Sequence, residues 1–270
     1  MAYRCKTLIT TEGDSSAQEK RLSICLVADG FSFSVASHER LLTFCAVEGC
    51  HATTITEAAR DIKALFSELD IRPLGYKSTE LIVVSDENAW VPDELYSSTV
   101  NRQYLRFLGG SAQSTLSCPC KSLGSTMVFS ANDHLVMAFK VSLPGLVVMN
   151  QHVRFVQLLS RSTDHPIIVA HWRQGRVDVA AMNAAKYLYG NTITYANQNE
   201  ALFQIVEVMK TFGLDTPNTE LLLCGDIDRE LFAGLRPYFP ITTLYNGNVK
   251  SFGSPEFKKL HTYRHALILM

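Results

Sequence analysis

In this chain of 270 residues, side chains with chemistry to offer are few and scattered. Cys118-Pro119-Cys120 sets two thiols one residue apart. Zinc sites ordinarily place at least two residues between paired cysteines and supply a second pair, and no second pair follows here. Cys45, Cys50 and His51 could form part of a metal site, but Cys45 sits in an apolar run where a cysteine packs as a small hydrophobe. Of the eight histidines, His165 and His171 stand on either side of Pro166 and read as structural. Arg173 and Arg176 bracket the turn Gln174-Gly175, where they could attract an anion without a metal, although hairpin arginines are ordinarily solvated. Asp29-Gly30 with Ser32, and Gly225-Asp226 with Arg229, are the remaining small-and-charged clusters. There is no Gly-x-Ser-x-Gly elbow, Walker loop or His-Glu-x-x-His helix, and no nucleophile stands beside a base at a recognisable spacing. The expectation is no catalytic residue and no metal-ligand set.

The elements that must position these residues follow from hydrophobic period. Pro166–Asn246 reads as strands Ile167–Trp172, Arg176–Met182 and Tyr187–Tyr195, then helix Asn199–Phe212, strand Glu220–Cys224, helix Asp228–Tyr238 and strand Ile241–Tyr245. The long helix sets Leu202, Ile205, Val206, Met209 and Phe212 on one face. The N-terminal part repeats the order. Arg21–Ala28 alternates as a strand, Asp29-Gly30 is a strong hairpin signal, and Phe31–Ser37 and Leu41–Glu48 continue the meander. Thr54 and Glu57 have capping-box spacing before helix Glu57–Asp70, which ends near Pro73 and Gly75, and strand Glu80–Ser85 follows. Subtracting 140 from Leu202, Ile205, Val206, Met209 and Asp226 lands on Ile62, Leu65, Phe66, Leu69 and Asp86, which points to an internal duplication.

Between the halves, Pro92–Tyr96 reads as a short helix, Tyr104–Leu108 as a strand and Gly109–Ser125 as an exposed loop. Met127–Ser130 and Leu146–Met149 read as strands. Asn132 caps a helix through Val141, and His152–Leu159 forms another. Met1–Lys20 is polar and reads as a flexible end, with Gly13-Asp14-Ser15-Ser16 its least structured part. Thr163-Asp164-His165-Pro166 reads as the hinge, and Gly253-Ser254-Pro255 as a turn before a short apolar tail, Ala266–Met270. If that tail were exposed, it would be a docking surface.

Composition narrows the function classes. The chain is 47% hydrophobic, enough for a proper core, and its formal charge of −1 lacks the basic surplus of a nucleic-acid binder. The N-terminus has no apolar signal-peptide core, and the apolar stretch near Leu135–Met149 is broken by Lys140 and Pro144. Seven cysteines, mostly in apolar runs, read as reduced core residues, so the expected setting is cytoplasmic, with no membrane insertion.

The runs Leu22–Val35 and His165–Asn183 resemble the paired opening hairpins of an actin-like ATPase fold. More narrowly, the chain resembles an uncharacterised Bacteroidetes family, a domain of unknown function. Met127–Leu159 is similar to the small subdomain of actin-like pilus-assembly and secretion scaffolds. The resemblance implies an α/β protein of two ribonuclease-H-like βββαβα repeats with mixed sheets and a cleft between them. The implied division is a flexible end at 1–20, a first half at 21–163 with an inserted βαβα subdomain at about 126–160, and a second half at 164–270.

Such folds hold nucleotide phosphates between two facing hairpin turns, with an Asp in each for metal and water. What the resemblance carries over is Asp29, Gly30 and Ser32 in the first turn, Gly175 in the second, and Gly225 with Arg229 around a nucleoside. The chain departs from the pattern. Asp29 and Gly30 are adjacent with bulky Phe31 next, the second turn has no acid, and Asp178 alternates out of it. Magnesium prefers carboxylate oxygen, so the loss is serious. The expectation is therefore a non-catalytic scaffold that binds an unidentified protein partner and no cofactor. The alternative is an ATP-binding protein or ATPase using ATP with magnesium in the cleft. A cleft plugged by Phe31 or Trp172 would favour the scaffold, and an open cleft faced by both turns would favour the alternative.

Overall fold

The computed structural model describes residues 4–10, 19–38, 40–49, 54–72, 75–110, 114–160, 165–184, 186–247, 251–252 and 255–269. Cys50, His51, Pro73, Thr163, Asp164 and the stretches Gly13–Ser16 and Gly253-Ser254 lie outside these residues.

Alternating apolar residues build two mixed sheets of the same design. In the first, β2 (Lys20–Val27), β3 (Gly30–Ser37) and β4 (Arg40–Glu48) form an antiparallel meander. On the other side of β2, β5 (Ser78–Val83) and then β9 (Val147–Asn150) run parallel to it. The second sheet repeats this with β10 (Ile167–Arg173), β11 (Arg176–Asn183), β12 (Lys186–Thr194), β13 (Glu220–Gly225) and β14 (Thr242–Leu244). Strand order and strand directions match one for one, which is the duplicated ribonuclease-H-like arrangement.

The helices fall into layers by strand alternation. Phe31 and Phe33 of β3 point at α1 (Ile55–Glu68) and α3 (Asp133–Ser142), through edge-on contacts of Phe31 with Phe139 and Phe33 with Phe66. Ser34, between such residues, points the other way and bonds the Ile268 carbonyl of α7 (Ala266–Leu269). In the second half, Val177 and Val179 pack with α5 (Gln198–Thr211) and α6 (Arg229–Leu235), while Asp178 between them faces α4 (Gln151–Leu159). Each half thus sends its last helix against the other half's sheet. Asn132 caps α3 and Thr54 caps α1 as the sequence indicates, each side chain accepting a first-turn N–H.

Several expectations need correction. The polar N-terminus contains β1 (Arg4–Thr10), which pairs antiparallel with β4, because an edge strand needs only one neighbour and can be polar. Residues 88–92 form β6 (Asn88–Pro92), and the expected Pro92–Tyr96 helix is only a turn. Tyr104–Leu108 lies in helix α2 (Asn101–Phe107) and its C-cap. The expected loop at 109–125 contains β7 (Thr115–Cys120), an edge strand, where Pro119 is tolerated. β6 and β7 flank β8 (Ser125–Ser130) in a separate small sheet, whereas β9 joins the large one, so residues 126–160 do not form one inserted unit. The buried face of α5 is Ala201, Ile205, Val208 and Met209, with Phe212 exposed. These answer to Ala58, Ile62, Leu65 and Phe66 of α1, so the constant shift of 140 does not hold. In the strands, Val84 N–H bonds Leu26 O as Asp226 N–H bonds Trp172 O, which makes Val84, not Asp86, the counterpart of Asp226. The described residues of the apolar tail form no surface: Ala266, Leu267, Ile268 and Leu269 are all buried, and Met270 lies outside the described residues.

Candidate functional site

An open cavity of about 950 Å³ lies between the two sheets, lined by Ala28 and Asp29 of the first hairpin turn and by Arg173, Gln174 and Arg176 around the second. A second cavity of about 200 Å³ is lined by Cys25, Ser32, His171, Gly225 and Asp226. Arg173 and Asp226 line both. Neither expected plug fills this space. The Phe31 ring packs on Phe139 in the first core, and Trp172 belongs to the second core with Val177.

The candidate residues part company here. Asp29 is exposed on its turn and lines the large cavity; Ser32 and Gly225 line the smaller one. Gly30, Gly175 and Arg229 line neither, Arg229 being exposed in the first turn of α6. Two of the glycines have packing reasons of their own. A Cβ on Gly30 would sit 2.2 Å from the Val47 carbonyl oxygen. One on Gly225, whose φ is +88°, would sit 2.1 Å from the Trp172 carbonyl oxygen.

Between the halves, beside the apolar packing of their exchanged helices, lies a polar knot around Asp178, which is fully buried. Arg173 grips its carboxylate with two bonds, Nε to Oδ2 at 2.9 Å and Nη2 to Oδ1 at 2.8 Å. His171 Nδ1 stands 2.9 Å from Oδ2, and Thr192 donates to Oδ1 at 2.7 Å. From α4, Gln151 reaches Asp178 at 3.3 Å and clamps the Ser85 backbone on both sides. Arg173 also crosses to Asp86 of the first half at 2.8 Å. Burial alone would raise the Asp178 pKa, but the bonds from His171 and Arg173 outweigh it and hold the carboxyl far below the usual range. Burial likewise opposes the charge of Arg173, and Asp178 and Asp86 more than restore it. His152, buried beside Thr192, is pushed down to about 4, chiefly by desolvation.

The sequence did carry a signal for this knot. A lone acid between Val177 and Val179 in a strand buried on both faces must be paired, since an isolated buried carboxylate is untenable. Its partner was legible only as a hairpin arginine.

The residues present do not fit a triphosphate with magnesium. Of the two arginines that flank the second turn, Arg173 is engaged by Asp178 and Asp86 and Arg176 also pairs with Asp86, and the Arg173 bridge spans the gap between the halves. Of the acids near that turn, Asp178 is enclosed and Asp86 pairs with both Arg173 and Arg176. Cys118 and Cys120 are buried, burial pushing the Cys118 thiol up to about 11. Among the described residues no three His, Cys, Asp or Glu side chains are grouped to hold a metal ion.

The sequence from residue 11 to 241 matches the model of a family described as "Protein of unknown function (DUF3822)". The chain belongs to this family. The fold of this DUF3822 protein is similar to that of a solved protein from Bacteroides thetaiotaomicron, described as having an actin-like ATPase fold and unknown function. The two share 17% identity over 85% of this chain and 92% of the other, with a TM-score of 0.68. It is also similar to a structure of the PilM-PilN type IV pilus biogenesis complex, at 13% identity over 92% of this chain and 96% of that one, with a TM-score of 0.52. These likenesses fix the actin-like ATPase fold for the DUF3822 chain. No curated protein matches its sequence. None of its described helices is long and apolar enough to cross a membrane.

Proposed function

We propose that this chain is a non-catalytic actin-like scaffold that binds a protein partner. The observation that carries the proposal is the Arg173 bridge: one guanidinium joins buried Asp178 to Asp86 of the opposite half. It engages one of the two arginines that a phosphate at this turn would meet and ties together halves that a nucleotide cycle would move. The similar pilus structure is itself a complex, PilM with PilN, in keeping with a partner-binding role. The same reading divides the chain into halves at about 21–163 and 164–270. It places the protein in the cytoplasm, a setting that the free thiols of the described cysteines suit.

The test is isothermal titration with ATP and ADP, with and without magnesium, beside a thermal melt. The expected result is no binding heat and no change in midpoint. A rise of several degrees with magnesium-ATP would overturn the scaffold, because a ligand of the native state must raise the midpoint.

The open cavity of about 950 Å³, lined from both turns, favours a second reading. In it the chain is an ATP-binding protein or ATPase, with Asp29 for metal and water, Gly30, Ser32 and Gly175 around the phosphates, and Gly225 and Arg229 at the nucleoside. It requires Arg173 to release Asp86. Unchanged nucleotide binding and turnover in Asp29→Ala would remove it.

A further inference from the structure

We propose that Cys5 and Cys45 form a dithiol pair that closes to a disulfide and staples the N-terminal strand to the first sheet. The two Sγ atoms stand 3.5 Å apart on neighbouring strands, β1 and β4. The strand register slips between Cys5 and Thr7, so that Cys5 lies opposite Val47 while Leu8 lies opposite Cys45. Such a bulge bends a strand and re-aims its side chains, and it falls beside the thiol pair.

The two sulfurs are unequal. Cys5 is exposed, at the protein's surface, and Cys45 is buried beneath it. Burial, then the contact with Cys5, raises the Cys45 pKa, so this thiol is not the one that starts the exchange. The oxidant is a low-molecular-weight disulfide, RSSR. The Cys5 thiolate attacks one sulfur of RSSR, forming Cys5–S–SR and releasing RS⁻. The Cys45 sulfur, giving up its proton, then attacks the Cys5 sulfur and releases a second RS⁻. The protein loses two electrons and two protons, and RSSR becomes two RSH.

The consequence is local and mechanical. β1 hangs on the sheet by one edge, and Thr7 and Ile9 wall a cavity of about 390 Å³ whose other side includes Lys259, His261 and Arg264 of the C-terminal segment. Closing the disulfide fixes that wall and removes the freedom of a long loop in the unfolded chain.

The experiment uses the full chain, equilibrated in oxidised or reduced glutathione. Free thiols are alkylated under denaturing conditions, and peptides are mapped by mass spectrometry without reduction. The expected result is a Cys5–Cys45 crosslink in oxidised protein and a melting midpoint about 5 °C or more above that of reduced protein. Both disappear in Cys5→Ser, an exposed change that leaves the core intact. In Cys45→Ala, Cys5 instead carries glutathione as a mixed disulfide. The proposal is overturned if oxidised wild-type protein carries glutathione on Cys5 while Cys45 is alkylated, if Cys5 is joined to any other cysteine, or if the two redox states melt together. Should Cys45→Ala fail to fold, the wild-type map and Cys5→Ser decide.

Discussion

Asp178 and Arg173 are the residues on which most depends, because a carboxylate without solvent is tolerable only while its partners stay. Arg173→Ala leaves Asp178 buried with a weaker set of donors and is expected to cost about 3–5 kcal/mol in urea unfolding. Replacing the pair together, Arg173→Met with Asp178→Leu, is expected to cost markedly less than the single change, since no charge is then stranded. The same neighbourhood sets an acid response. Burial keeps His152 neutral in the fold and lowers its pKa from the ordinary 6.5 to about 4, so the unfolded chain binds more protons between those limits. Stability is therefore complete above about 6.5 and declines as pH falls towards 4, by about 3 kcal/mol from this group. His265, also depressed to about 4 by burial and then by Arg264 and His261, acts in the same window and in the same direction. Asp178, depressed from 3.8, adds its loss only below about pH 4. Urea titrations at successive pH values check the window. His152→Gln should flatten the slope between pH 6.5 and 4.

At the scale of elements, the turns that a nucleotide would need are shaped by their own sheets. Gly30 is required because β3 runs against the Val47 carbonyl, and Gly225 because β13 turns against the Trp172 carbonyl at positive φ. A Cβ on Gly175, at φ +66°, would meet only the Tyr195 carbonyl oxygen, at an ordinary contact distance of 3.9 Å. Gly30→Ala is therefore expected to lower the melting midpoint sharply, with no ligand involved. Gly175→Ala should cost about 1 kcal/mol, the strain of a side chain in the left-handed region. If Gly30→Ala were as mild as Gly175→Ala, the packing account of the first turn would be wrong. The bulge in β1 belongs to this scale too, since a slip in strand register is what sets beside Cys45 a thiol that has Val47 opposite it.

For the molecule as a whole, the exchanged last helices decide whether the halves act as one body. Leu267, Ile268 and Leu269 are buried, and the carbonyls of all three accept bonds, from Arg154, Ser34 and Tyr245 respectively. Arg154 and Ser34 belong to the first half, so the C-terminus grips the sheet opposite its own. Leu267→Ala is expected to cost about 2–5 kcal/mol. Removing residues 266–270 exposes the inner face of β2 and β3 and should split a single cooperative melt into two, or lower it until the protein aggregates. A truncated chain that melts as the full one does would show that α4 and the polar knot suffice to join the halves.

The sequence by itself determined the strands of both meanders, the caps of α1 and α3, the repeated order of elements and the fold they imply, because these rest on alternation, period and short-range turn chemistry. It determined less where neighbours decide. β1 and β7 are polar or interrupted and became strands only by pairing at an edge, and α2 formed where a short apolar run allowed either structure. The face of α5 turned because packing against the sheet, not hydrophobicity alone, selects which residues go inward. The clearest case is Asp178. In sequence it is an acid displaced from a turn, and in the fold it is the centre of the interface. Its partners are Gln151, His171, Arg173 and Thr192, and through Gln151 and Arg173 the network reaches Ser85 and Asp86; only the docking of two sheets brings side chains that far apart in the chain into one dry space.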